Sequence, residues 1–206
     1  MMEHNIPNGL TICQNLYGQI VTFNQTANYD QIGGNDYVAM KFNNYDITKP
    51  CLGPLCYNFS SVDTFMNLHS VKATLGVENT KWTSCNATVG AYMAKYDWIK
   101  NSAPQFKDLL SSGKKVLLYH GELDMICNWA GGESAANSIE WPGEVQWQSA
   151  SWKNAGYGLK REYQNFSFVK FSDAGHMVPM DQPENAFKMI KWFIDKAAVD
   201  PSGSEI

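Results

Sequence analysis

Two residues of this sequence stand where acid–base chemistry would need them. Asp124 comes shortly after the apolar run Lys115–Tyr119, and His176 follows a second apolar run, residues 166–171. In open α/β sheets, reactive groups lie just beyond the carboxyl ends of the strands. An aspartate there can hold an imidazole by one ring nitrogen, and the histidine can then move a proton between a nucleophile and a leaving group. The two residues are therefore a candidate catalytic pair.

Each residue alone has a more ordinary explanation. An aspartate after a strand-ending glycine commonly closes a turn or caps a helix, and a histidine in a loop is commonly a surface residue. The order strand, Asp, strand, His, helix carries more weight, because α/β hydrolases place a serine, an acid and a histidine in that chain order.

The elements that must position the pair follow from local patterns. The run at 115–119 predicts a strand buried on both faces in a parallel sheet, and residues 166–171 predict a second strand. Gly121 and Gly175 allow the sharp turns that must follow. Asp181–Glu184 predicts the start of a helix with an apolar stripe. The members of that stripe are Ala186, Met189, Ile190 and Phe193.

Further helices are predicted upstream of the first strand. One begins at Ser61 and extends toward His69, a second begins near Ala87, and a third covers Phe106–Leu110 and stops at Gly113. The sequence before about residue 60 is rich in Asn, Gly and Tyr and is predicted to be irregular. Taken together, the pattern predicts the α/β fold class.

Composition excludes several classes of function. The 206 residues carry a formal net charge of −4 without a cluster of Lys and Arg, which argues against nucleic acid as a partner. No apolar run reaches the length of a transmembrane helix, so no membrane partner is predicted. Residues 1–9 have neither the basic start nor the apolar core of a signal peptide.

The glycosylation sequons and the cysteines point to the secretory pathway. Four Asn-x-Ser/Thr sequons occur, at Asn24, Asn58, Asn86 and Asn165. Cys51 and Cys56 lie close enough, around Gly53 and Pro54, to close a small disulfide loop. A metal site there is disfavoured, because no second Cys/His pair stands nearby.

An odd number of cysteines remains. Cys13, Cys85 and Cys127 are either free thiols or pair with cysteines on sequence outside this chain. Together with the sequons and the absent signal peptide, this predicts a chain truncated at its N-terminus.

The motifs around the candidate pair resemble those of a known family. Residues 121–129 and 174–183 closely resemble the Asp and His motifs of the serine carboxypeptidases. Residues 44–57 are similar to that family's small-disulfide segment, and 82–86 and 96–100 fit in the expected order. The resemblance runs from about residue 40 to about residue 195.

This resemblance implies specific roles. Asp124 corresponds to the triad aspartate and His176 to the general base. Cys127 resembles a free cysteine near the substrate pocket, and Met177 a residue on the leaving-group side of the cleft. Glu122 stands where the family usually has Asp, which leaves the assignment of Asp124 intact.

The same resemblance addresses two of the remaining cysteines. It implies that Cys85 normally pairs with a cysteine of the N-terminal half, and it places Cys13 in the helical insertion.

The family's nucleophile motif, Gly-Glu-Ser-Tyr-Ala-Gly, has only a partial counterpart. Ser134 lies in Gly-Glu-Ser-Ala-Ala, but it follows Asp124 in the chain, no strand precedes it, and Ala136 replaces the glycine of a tight elbow. Ser134 is therefore predicted to lie within a helix and not to be the nucleophile.

These observations give a complete set of expectations. Residues 1–60 would be part of an irregular or helical insertion, 61–197 the C-terminal part of an α/β-hydrolase sheet with flanking helices, and 198–206 a flexible tail. The resemblance implies a serine-type carboxypeptidase that releases C-terminal amino acids from peptides and needs no metal or other cofactor.

For this chain alone, we expect no activity without a partner segment that carries the serine. The full-length parent is expected in the vacuole or lysosome, or secreted. A non-catalytic binding or pairing protein, and a related acyltransferase, remain the alternatives.

Overall fold

The structure, a computed structural model, describes residues 43–51, 56–97 and 100–195. They fall into two compact units: one holds Cys51, residues 56–97 and Lys100, and the other holds residues 43–50 and 101–195. Predictions for Cys13, for Asn24 and for the tail lie outside the described residues, and the predicted domain bounds stay a prediction. Among the described residues, no helix is long and apolar enough to cross a membrane.

The described elements before residue 112 are helices, and those from Val116 onward include both helices and strands. The helices are α1 Ser60–Met66, α2 His69–Thr74, α3 Ala87–Tyr96, α4 Ala103–Ser111, α5 Trp129–Asn137, α6 Glu144–Ser149, α7 Val178–Asp181 and α8 Pro183–Asp195. The strands are β1 Val116–Gly121, β2 Lys153–Asn154, β3 Gly158–Tyr163 and β4 Phe166–Phe171.

The first unit contains α1, α2 and α3, none of which has a buried residue. The predicted disulfide is confirmed, since Cys51 and Cys56 are joined. The helix predicted near Ala87 is also confirmed. It starts after Asn86, whose side-chain oxygen accepts hydrogen bonds from the backbone nitrogens of Thr88 and Val89 at 3.0 and 3.1 Å.

The helix predicted from Ser61 toward His69 is interrupted. It ends at Met66, and α2 starts separately at His69. The reason lies in Asn67, whose side-chain amide bonds the backbone O and N of Trp82 at 3.1 and 3.0 Å. Leu68 is extended (φ −61°, ψ 135°), so the chain turns there instead of continuing the helix.

The second unit is built on a four-stranded mixed sheet in the order β1-β4-β3-β2. Strands β1 and β4 are parallel, with Val116 opposite Phe166 and Gly121 opposite Phe171. Because the two strands stay in register to their last residues, their carboxyl ends lie side by side at one edge of the sheet. The loops that carry Asp124 and His176 both leave from that edge.

Strand β4 is the centre of the core. Four of its six residues are apolar and fully buried, at 0% exposure: Phe166, Phe168, Val169 and Phe171. Trp147 of α6 stacks on Phe166 with ring centroids 4.2 Å apart. Val169 and Phe171 pack in another buried apolar cluster, together with Ala186 and Met189 of α8. Helices therefore cover both faces of this strand.

Several predictions about the second unit need correction. Strand β1 is parallel as expected, but it is not buried on both faces: Tyr119 is 39% exposed, and β1 is an edge strand of the described sheet. Strand β3 and helix α6 lie in a segment for which no element was predicted. In the α8 stripe, Ala186 and Met189 are buried, whereas Ile190 is 43% exposed.

Candidate active site

The turn that follows β1 places Asp124. Two backbone bonds fix its path, from Glu122 N to Phe171 O at 2.8 Å and from Leu123 N to Ala174 O at 2.9 Å. At Gly121, a Cβ would lie 2.1 Å from the carbonyl oxygen of Gly175, so only glycine lets the two loops approach this closely.

The loop that follows β4 places His176. Asp173 has a positive φ of 54°, which turns the chain sharply as the strand ends. The backbone nitrogen of His176 donates to Tyr45 O at 2.7 Å, and the Tyr45 and His176 rings lie 5.4 Å apart, centroid to centroid. Immediately after the loop, α7 begins at Val178.

Asp124 and His176 are hydrogen-bonded to each other. His176 Nδ1 lies 2.8 Å from Asp124 Oδ2, while Asp124 Oδ1 accepts a hydrogen bond from the backbone nitrogen of Cys127 at 3.1 Å. The aspartate side chain is 3% exposed and the histidine side chain 38% exposed. A buried carboxylate thus holds one ring nitrogen of an accessible imidazole, the arrangement that a catalytic acid–histidine pair requires.

A segment remote in sequence connects the two loops. The carbonyl oxygen of Asn44 accepts from Met125 N and Ile126 N at 3.1 and 3.2 Å, and Ile47 N donates to Leu123 O at 3.0 Å. The sequence predicts this stretch only as part of a disulfide segment. Nothing in its local pattern shows that its backbone bonds Asp124's turn, because these contacts join positions about eighty residues apart.

Lys49 and two aspartates form a charged cluster beneath the His176 loop. Lys49 Nζ lies 2.5 Å from Asp181 Oδ1 and 2.8 Å from Asp46 Oδ2. The hydrogen bond to Asp181, and after it that to Asp46, raises the pKa of Lys49 above its ordinary value. Burial acts to raise the pKa of Asp46, but hydrogen bonds from Lys49 and Thr48 outweigh it and hold the pKa below its ordinary value.

Cys127 and Met177 flank the pair. Cys127 is an exposed free thiol, and Met177 is partly buried just before α7. Partial burial of the Cys127 sulfur, and secondarily the nearby Asp124 carboxylate, raise the pKa of this thiol. The roles expected of the two residues in a substrate pocket remain predictions.

Donor atoms of Asp124, Cys127 and His176 all lie within 4.8 Å of one another, a spacing that a metal ion could use after small adjustments. The Asp124 and His176 donors are already hydrogen-bonded to each other, which favours acid–base use of the pair over metal ligation.

Ser134 lies inside α5, as predicted, and is exposed. Within the described ranges, no serine hydroxyl is hydrogen-bonded to His176, whose ring bonds Asp124.

A separate, open polar depression of about 390 Å³ lies beside the turn between β2 and β3. It is lined by residues such as Tyr157, Asp173 and Gln182 and contains neither Asp124 nor His176.

Known proteins resemble this chain along most of its length. A family model described as serine carboxypeptidase matches residues 2–196. "Serine carboxypeptidase-like 49" from Arabidopsis thaliana is 41% identical over 77% of the chain, which covers 31% of that protein. "Serine carboxypeptidase-like 48" from the same organism is 35% identical over 94% of the chain, which covers 36% of that protein. The chain thus spans about a third of the length of these relatives.

The fold has a counterpart among solved structures. The crystal structure of Kex1(Δ)p, a prohormone-processing carboxypeptidase from Saccharomyces cerevisiae, matches 94% of the chain and 43% of its own, with a TM-score of 0.67 and 23% identity. At that identity the match concerns the fold alone, and it confirms the predicted α/β class for this part of the chain.

Proposed function

Since the chain belongs to the serine carboxypeptidase family, we propose that it supplies the aspartate and the histidine of a catalytic triad. The observation that carries the proposal is the 2.8 Å hydrogen bond between His176 Nδ1 and the buried carboxylate of Asp124. The exposed part of the imidazole is then available to a serine hydroxyl and a peptide substrate. The proposed reaction is the release of the C-terminal amino acid from a peptide.

The proposed mechanism follows from the pair. His176 Nε2 takes the proton of a serine hydroxyl as the serine oxygen attacks the last peptide carbonyl, and then gives that proton to the departing amino acid. A water molecule then attacks the acyl ester. His176 Nε2 takes a proton from this water and gives it to the serine oxygen as the acyl group leaves. Throughout, Asp124 keeps Nδ1 protonated and stabilises the imidazolium.

We propose that the serine comes from sequence outside this chain. Ser134 is within α5 and follows Asp124, whereas a hydrolase nucleophile sits on a turn between a strand and a helix and precedes the acid. Without that serine the chain is proposed to be inactive alone, because little catalysis remains when a triad lacks its nucleophile.

The test is complementation. The chain is purified alone, and it is also co-expressed with the N-terminal part of "Serine carboxypeptidase-like 49" that precedes the matched region. Release of the last residue from a blocked dipeptide is measured at mildly acidic pH. We expect no turnover by the chain alone, and turnover by the pair that falls by at least about 10³-fold on His176→Ala or Asp124→Asn.

Three results would contradict the proposal. The first is a folded pair that shows no turnover. The second is turnover by the chain alone that Ser134→Ala abolishes, since this would make Ser134 the nucleophile. The third is a folded pair whose activity survives His176→Ala. Lys191→Met serves as a control, because the one partner that Lys191 has among the described residues is Asp195, in an exposed ion pair on α8.

A further inference from the structure

Residues 43–50, here called the clasp segment, are bonded to both catalytic loops. The carbonyl oxygen of Asn44 accepts from the backbone nitrogens of Met125 and Ile126, directly after Asp124. The next carbonyl, that of Tyr45, accepts from the backbone nitrogen of His176 at 2.7 Å. One short segment therefore touches the turn of the acid and the loop of the histidine, and its position affects the distance between them.

The clasp segment is held to the His176 loop by charge. Lys49 Nζ bridges Asp46 Oδ2 within the segment and Asp181 Oδ1 at the end of α7. The side chains of Asp46 and Asp181 are 2% and 7% exposed, and that of Lys49 is 42% exposed. Two buried carboxylates that share one cation repel each other when it is removed.

The Asp181 carboxylate also binds the loop directly. Its second oxygen, Oδ2, accepts a hydrogen bond from the backbone nitrogen of Gly175 at 2.9 Å. Gly175 is packed tightly here: an added Cβ would lie 2.3 Å from Tyr45 O and 2.8 Å from Asp46 Cβ. The clasp segment is therefore in close van der Waals contact with Gly175, the residue that precedes His176.

We propose that Lys49 is a positioning residue for the Asp124–His176 pair, acting by neutralising Asp46 and Asp181 so that the clasp segment stays seated against Gly175. Its relevance to catalysis rests on the function proposed above. Within the described ranges, Lys49 makes no hydrogen bond or ion pair with either member of the catalytic pair. It acts through the backbone bonds of Asn44, Tyr45 and Gly175.

The physical step is electrostatic. Without the ammonium, Asp46 and Asp181 are like charges with little access to water, so they separate or take up protons. Either change alters the bonds made by the Asp181 carboxylate, which include the one from Gly175 N. The His176 backbone, one residue further on, then loses its fixed path, and its ring loses a fixed approach to Asp124.

The experiment uses the whole chain and needs no enzymatic activity. Lys49→Met removes the charge and keeps the apolar stem, Lys49→Arg keeps a cation, and Lys191→Met removes an exposed cation of equally short ion-pair distance. Proton NMR follows the Nδ1 proton of His176, whose signal depends on the bond to Asp124. Amide exchange is read at Gly175 and His176, with Val169 of β4 as the reference for global unfolding.

We expect Lys49→Met to weaken or remove the Nδ1 signal and to speed exchange at Gly175 and His176 by at least about tenfold, with Val169 unchanged. Lys49→Arg and Lys191→Met are each expected to leave the Nδ1 signal and the exchange at Gly175 and His176 as they are in the unsubstituted chain. If Lys49→Met does not fold, Lys49→Met/Asp46→Asn takes its place, because it removes the cation together with one of the two repelling charges. A retained Nδ1 signal and slow exchange at Gly175 and His176 in the double variant would support the proposal, whereas a double variant that is unfolded, or folded with fast exchange at these two residues, would overturn it.

An unchanged Nδ1 signal and unchanged loop exchange in Lys49→Met would overturn the proposal. So would equal acceleration at Val169, because that would make Lys49 a general stabiliser of the unit. The outcome is independent of the complementation assay. If the co-expressed chains are inactive but the Nδ1 signal responds to Lys49→Met, only the proposed function is contradicted. If the co-expressed chains are active but the signal does not respond, only the positioning role of Lys49 is contradicted.

Discussion

At the scale of single residues, Asp124 performs two structural tasks at once. One carboxylate oxygen holds the His176 ring, and the other accepts the backbone nitrogen of Cys127. The second bond closes the turn and brings the Cys127 sulfur close to the carboxylate. The same negative charge that orients the histidine therefore disfavours the thiolate of its neighbour.

The thiol chemistry of Cys127 provides a test of this environment. Because burial and then Asp124 raise its pKa, Cys127 has less thiolate at neutral pH than an ordinary thiol. We expect iodoacetamide to alkylate Cys127 a few-fold more slowly at neutral pH than it alkylates a Cys-containing peptide, with the rate rising at higher pH than the peptide's. Mass spectrometry of the Cys127 peptide gives the rate at that site.

Asp124→Asn separates the two causes. It removes the charge and keeps an oxygen that can accept from Cys127 N, so the pH midpoint of alkylation is expected to fall while staying above that of the peptide. A midpoint equal to the peptide's in the unsubstituted chain would refute the assigned environment. Cys85→Ser, at the other described free thiol, is the control and leaves the midpoint unchanged.

At the scale of elements, the helices and strands that the sequence predicts are set by local residue patterns, whereas those that it does not predict depend on contacts with distant residues. Strand β4 covers the apolar run that predicts it, and helix α3 begins at Ala87, as its helical spacing of apolar residues predicts. Strand β3 was missed because its Lys160–Glu162 stretch is charged, and burial of Arg161 depends on partners from elsewhere in the chain. Asp124 and His176 follow from their position after strands, whereas the contribution of Lys49 needs a contact with Asp181 that no local pattern contains.

Arg161 shows how such long-range partners hold the elements together. Its guanidinium carbon lies 4.5 Å from the Trp152 ring centroid and 5.4 Å from that of Trp147. Its nitrogens bond Glu133 Oε1 at 2.6 Å and Asn137 Oδ1 at 3.2 Å, both on α5. One buried cation thus joins β3 to α5 and to the tryptophan of α6.

We expect Arg161→Lys to lower the free energy of unfolding by about 1–3 kcal/mol, because lysine lacks the planar fork that bonds both α5 side chains and lies close to the rings of Trp147 and Trp152. Urea denaturation followed by tryptophan fluorescence measures the change. Lys191→Met is the matched control and is expected to shift stability by less than about 0.5 kcal/mol, since its ion pair is exposed. Equal effects of the two substitutions would show that the cluster contributes nothing beyond a surface charge.

At the scale of the whole molecule, the disulfide and the glycosylation sequons are the features that bear on which cellular compartment the chain folds in. Disulfides such as Cys51–Cys56 persist mainly in oxidising compartments. The structure divides the described sequons into two kinds. Asn58 and Asn86 are exposed, whereas Asn165 is 5% exposed, and its amide nitrogen donates to Leu110 O at 2.9 Å and to Lys114 O at 2.8 Å.

This division separates Asn165 from the two exposed sequons, because its side chain is not accessible to glycosylation. A glycan is attached to the same amide nitrogen that Asn165 uses for its two hydrogen bonds, and it has no room at a buried position. Asn165 is a sequon by sequence, but its side chain anchors the end of α4 to the start of β4.

Secretion of the chain from a eukaryotic host behind a heterologous signal sequence tests the distinction. We expect glycans at Asn58 and Asn86 and none at Asn165. Enzymatic deglycosylation in heavy-oxygen water, followed by peptide mass spectrometry, identifies each occupied site. Asn58→Gln and Asn86→Gln should each remove one gel-mobility step, while Asn165→Gln should change stability and leave mobility as it was. Occupancy at Asn165 in folded, secreted protein would mean that this side chain is accessible, and the packing of α4 against β4 described above would be wrong.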